Sequence, residues 1–74
     1  MSKLPDAVEL VVLPCADGVW QVGICVLWPG PDADIIDEAL SEETFATEAD
    51  AWAFAWVTQA NMLADGVPTV EVIT

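Results

Sequence analysis

The sequence predicts a small α+β domain: an antiparallel sheet of three or four strands, with one long helix packed across one face, in the order β-β-(β or short helix)-α-β. Three observations carry this. Short runs rich in β-branched residues stand at 7–13, 19–28 and 69–73. A longer segment, Thr47 to Ala64, has apolar residues at helical spacing and carries both a start and a stop signal. Seventy-four residues leave room for one core, so residues 1–74 form a single domain. A chain of this size buries only about 60–65% of its unfolded surface, which predicts a thin core and modest stability.

Ala7 to Leu13 (AVELVVL) reads as the first strand, and Val19 to Trp28 (VWQVGICVLW) as the second. Between them Pro14 and Asp17-Gly18 mark a turn, which makes the pair an antiparallel hairpin. Trp20, Val22, Ile24, Val26 and Trp28 form one continuous apolar face of the second strand. With the turn centred near Ala16-Asp17, Cys15 faces Gly18 and Cys25 lies opposite Val8. The two thiols are then too far apart for a bridge, which needs Cα atoms within about 7 Å. Two reduced cysteines fit the cytosol.

Pro29-Gly30-Pro31 ends the second strand, since proline donates nothing to a ladder. In the acidic stretch Asp32 to Glu43 the apolar anchors are Ile35, Ile36, Ala39 and Leu40, which suit either a short helical turn or a third strand. Thr47 can cap the helix that follows, with Asp50 at the capping-box position and Glu48 in the first turn. Ala49, Trp52, Ala53, Trp56, Ala60 and Leu63 fall on one stripe, from which Trp52, Ala53, Trp56 and Leu63 are expected to meet Trp20, Val22, Ile24 and Val26 across the core. Asp65-Gly66 and Pro68 stop the helix. Thr69 to Ile73 (TVEVI) alternates as a last strand.

The charge is extreme. Thirteen carboxylates stand against one cation, Lys3, for a formal net charge of −12. Solubility of a small domain needs a net charge of only about 2–8, and like charges held close together oppose folding. The chain has no histidine, tyrosine or arginine, so neither a thiol nor a serine has a base to activate it, and an enzyme is not expected. Counted from Asp32, acidic residues occupy loop positions one, three, seven and twelve of an EF-hand (Asp32, Asp34, Glu38, Glu43). Ile36 stands where a ligand is needed and Asp37 where the turn needs glycine, so a solvated acidic stretch is expected, with no metal and no cofactor. One cation cannot neutralise a phosphate backbone, which excludes direct nucleic-acid binding despite four tryptophans. The longest apolar run, Gly18 to Trp28, is too short to span a bilayer. The opening residues lack a basic region followed by an apolar stretch, so no membrane association and a cytoplasmic location are expected.

What remains is the acidic segment. Eight carboxylates, Asp32, Asp34, Asp37, Glu38, Glu42, Glu43, Glu48 and Asp50, fall within nineteen residues. They form a candidate partner-binding patch, with Trp28 beside Pro29 as an aromatic anchor. Such a patch imitates phosphates and steers association with a basic groove. Small size, strong acidity and a sheet packed on one helix resemble phage-encoded DNA-mimic inhibitors of the anti-CRISPR type. The resemblance implies a basic nucleic-acid-binding protein or complex as partner, blocked without catalysis in the host cytoplasm. The alternative is an interaction module that forms a homodimer through its sheet edge, with the charge serving solubility alone.

Overall fold

The computed structural model describes residues 4–30 and 35–73; Asp32 and Asp34 lie outside them. The elements run β1 (Ala7–Pro14), β2 (Trp20–Trp28), β3 (Ile35–Leu40), α1 (Glu48–Ala64) and β4 (Thr69–Ile73). They build one four-stranded sheet in the order β3-β2-β1-β4, with α1 packed over β2, β1 and β4. The open choice at residues 35–40 is thus a strand. The antiparallel expectation holds for β1–β2 and β2–β3, but β4 joins β1 in parallel, so the sheet is mixed. The cause is α1 itself: the helix carries the chain back across the sheet, and β4 starts at the same end as β1.

The hairpin differs from the sequence reading by one residue. Cys25 pairs with Glu9, and Val8 with Val26. The Gly18 N–H donates to the Cys15 carbonyl (3.3 Å) and the Cys15 N–H to the Val19 carbonyl (2.8 Å). Gly18 sits at φ +76°, so a three-residue loop closes the hairpin where a shorter one was expected. That extra residue sets the phase of the whole sheet. It aligns Val8, Leu10 and Val12 with Val26, Ile24 and Val22 on the helix side.

The core consists of Val8, Leu10, Val22, Ala51, Ala55, Val67 and Val70. Its helical half corrects the predicted stripe. Ala51 and Ala55 are the buried helix residues, flanked by Phe54 and Met62, whereas Ala49, Ala53, Trp56, Ala60 and Leu63 are exposed and Trp52 is half-buried. The physical reason is twofold. From Ala51 to Ala64 the helix has no charged residue on any side, so apolar spacing alone selects no unique face. Close approach of helix to sheet then favours the face with small side chains at its centre, and Trp56 is left on the outside, 48% exposed.

Both helix ends are closed as the sequence predicts. The Thr47 hydroxyl accepts from the Asp50 N–H (3.2 Å). At the other end Gly66, at φ +105°, lets its own N–H reach the Leu63 carbonyl and the Val67 N–H reach the Met62 carbonyl, both at 3.1 Å. Phe45 ties the β3–α1 connection to both layers: it bridges Trp20 and stacks at a tilt on Phe54, with ring centroids 5.2 Å apart.

Ser41 is the one buried polar side chain among the described residues. Its hydroxyl accepts from the Val22 N–H (3.1 Å) and donates to the Glu43 carbonyl (2.8 Å). Ser41→Ala is expected to strand that buried N–H and cost about 1–3 kcal/mol. Urea denaturation checks this, and a loss below the experimental error would remove the assigned role.

Candidate protein-binding surface

Among the described residues the sheet has one helix for two faces, so one face is open. By register it carries Ala7, Glu9, Val11 and Leu13 of β1, and Gln21, Gly23, Cys25 and Leu27 of β2. Ile36, Glu38 and Leu40 of β3 and Thr69, Glu71 and Ile73 of β4 complete it. Two rows cross it. Leu40, Gly23, Val11 and Ile73 make an apolar row, while Glu38, Cys25, Glu9 and Glu71 make a row with three carboxylates. Beside β3 the face dips into a groove of about 560 Å³ lined by Val11, Leu13, Gly23, Cys25, Glu38 and Leu40. Gly23 lets its neighbours close the floor: side-chain atoms of Leu13 and Val11 lie 3.0 Å from where a Cβ would stand.

The six predicted acidic residues that are described do not form one patch. Asp32 and Asp34 lie outside the described residues. Asp37 pairs with Val26 and so lies on the helix side of β3, whereas Glu38 pairs with Cys25 on the open face. The extended backbone from Ile35 to Leu40 separates the two, and it replaces the tight loop that a calcium site would need. Glu42 and Glu43 follow β3, and Glu48 and Asp50 occupy the first turn of α1, so these four gather at one end of the sheet. The Glu48 carboxylate also accepts from the Trp52 indole N–H (3.1 Å). Trp28 pairs with Ile35 at the opposite end of β3 and is half-buried. Cys15 and Cys25 are free thiols, both half-buried, and Cys15 donates to the Gln21 side-chain oxygen (3.3 Å).

Glu9 and Glu71 escape a sequence search for clusters because 61 positions separate them in the numbering. The available signal is that each is the only charge inside an apolar strand, AVELVVL and TVEVI. A carboxylate in such a place reports a face that is open to water.

Every carboxylate among the described residues is exposed, and no Lys, Arg or His lies among those residues to pair with it. The surface is therefore neutralised by counterions or by a partner. Added salt screens repulsion over about 10 Å at 0.1 M. The melting temperature is expected to rise steadily from low salt to 0.5 M sodium chloride. A melting temperature that falls or stays flat would show that the repulsion does not limit stability.

Compared with known proteins, the chain matches no family model, no curated protein and no solved structure. No helix among the described residues is long and apolar enough to cross a membrane.

Proposed function

We propose that this chain is a non-catalytic binding protein whose acidic surface occupies the basic, nucleic-acid-binding surface of an effector and thereby inhibits it. The observation that carries the reading is the surface charge: carboxylates exposed on both faces and one end of the sheet, with no cation among the described residues. A partner rich in Lys and Arg neutralises that charge and relieves the self-repulsion of the fold, so binding and folding are favoured together. The apolar groove beside Glu38 adds a place for an uncharged side chain of the same partner. The likeness to DNA-mimicking inhibitors of CRISPR complexes rests on size, acidity and layout, and it makes a cytoplasmic, phage-encoded setting part of this proposal.

The test is capture of partners from bacterial lysate by the tagged chain, at low and at high salt. A nucleic-acid-binding protein released by salt and displaced by duplex DNA supports mimicry. A partner that is retained at high salt and ignores DNA removes it.

A second reading, self-association, is favoured by the outer side of α1. Trp56, Val57 and Leu63 are 48%, 60% and 46% exposed there, on a helix free of charge from Ala51 to Ala64. Two copies of a −12 chain approach with least repulsion at such a face, and this favours the helix over the sheet edge as the dimer contact. Sedimentation equilibrium decides: a monomer at every concentration ends the reading, and a dimer broken by Val57→Lys supports it.

A further inference from the structure

β3 is an edge strand with almost none of the usual protection. Natural edges are blunted by very short length, charged side chains, proline, a bulge or a covering element. Here six residues pair with β2 in unbroken register, contain neither Pro nor Gly, and are all exposed. The helix packs over the other three strands and does not reach this one. On the far edge, by contrast, the Gln59 side chain of α1 donates to the Val70 carbonyl of β4 (2.9 Å).

The direction of the free backbone groups can be fixed. The Ser41 N–H donates to the Val22 carbonyl (2.8 Å). Hydrogen-bonded pairs alternate along an antiparallel ladder, so Ala39, Asp37 and Ile35 turn their backbone groups toward β2. Ile36, Glu38 and Leu40 therefore point their N–H and C=O groups away from the sheet, where no described residue pairs with them. These three donors and three acceptors are a template for one more strand.

The guard on this edge is its centre, Asp37 on one face and Glu38 on the other. Antiparallel pairing with a second copy about Glu38 sets that carboxylate directly against its own counterpart on the open face, which is destabilising. A strand with cations at its middle turns the same positions into attraction. The apolar residues on either side, Ile35 and Ile36 before the acidic pair and Leu40 after it, are 53%, 61% and 55% exposed and want apolar neighbours.

We propose that the β3 edge is a docking site for an extended segment of a partner protein, with Lys or Arg at its centre and apolar residues on both sides, which adds to the sheet as a fifth strand. This rests on the reading that the partner is basic, and it specifies how that partner is held: by main-chain hydrogen bonds, with the charges selecting against self-pairing.

The probe is a capped eight-residue peptide with two central lysines flanked by valine and isoleucine, titrated into the isotope-labelled full chain and followed by amide exchange. The amides of Ile36, Glu38 and Leu40 are expected to gain protection, and the same peptide with central glutamates is expected to give none. Ile36→Pro removes one outward N–H without touching the β2–β3 ladder, and should weaken binding about tenfold or more. Ile36→Val should bind as the parent does. Protection that appears instead around Glu42 to Asp50, or equal binding by Ile36→Pro, overturns the edge site while leaving a basic partner in place. Absence of any bound lysine peptide at low salt overturns the edge site as well. The lysate capture then decides separately whether an acidic surface without strand addition accounts for binding.

Discussion

Leu10→Ala is expected to remove most of the stability of this domain. Leu10 is fully buried on the central strand, paired with Ile24 on one side and Val72 on the other, beneath the helix. Truncating a buried leucine costs about 2–5 kcal/mol, the upper end applying where neighbours cannot close the cavity. Two paired strand positions and a helix pack around this side chain, which places it in the upper half of that range. Domains of 74 residues hold roughly 4–11 kcal/mol in total. Urea denaturation followed by tryptophan fluorescence should show a sharply lowered midpoint or a chain unfolded in buffer. Leu13→Ala supplies the comparison, since Leu13 stands on the open face at 37% exposure and should cost far less. Equal losses for the two would contradict the assignment of the buried face.

The second large effect concerns binding. Replacing Asp37, Glu38, Glu42 and Glu43 with lysine moves the formal charge from −12 to −4, each reversal changing it by two. It spares the Thr47 cap and the Glu48 contact with Trp52 that hold the start of the helix. Affinity for a basic partner should fall on the order of 100-fold at low salt, mostly through slower association. The same variant should melt at a higher temperature than the parent at low salt, because repulsion is relieved. Opposite signs for binding and stability separate loss of a surface from loss of a fold. If binding survives the four reversals, the acidic surface is not the recognition element.

Much of the fold is legible in the sequence because its signals are local. β1, β2 and β4 announce themselves by β-branched runs bounded by turn residues, and α1 by Thr47 at one end and Gly66 at the other. β3 stays ambiguous because Ile35, Ile36, Ala39 and Leu40 satisfy both periods over so short a run. The phase of α1 is hidden for a different reason: Ala51 and Ala55 carry less apolar weight than Trp52 and Trp56, yet the smaller pair fits against the sheet. The hairpin register turns on one loop residue, and composition does not count loop residues. The acidic residues are legible as charges, but not as positions. Strand alternation sends Asp37 and Glu38 to opposite faces, and the pairing of β1 with β4 sets Glu9 beside Glu71.

The parallel partnership of β1 and β4 also governs the order in which this chain can be completed on the ribosome. β1 is made early and finds β2 within a few residues. Its other flank, however, waits until residues 69–73 have left the exit tunnel. Until then Val8 and Leu10 lie on a strand with one side unoccupied, and helix α1 has only part of the surface it will cover. Synthesis at about 5–20 residues per second leaves that flank bare for seconds. Through that interval the central strand has one flank unpaired, and the like charge of neighbouring copies opposes their joining there.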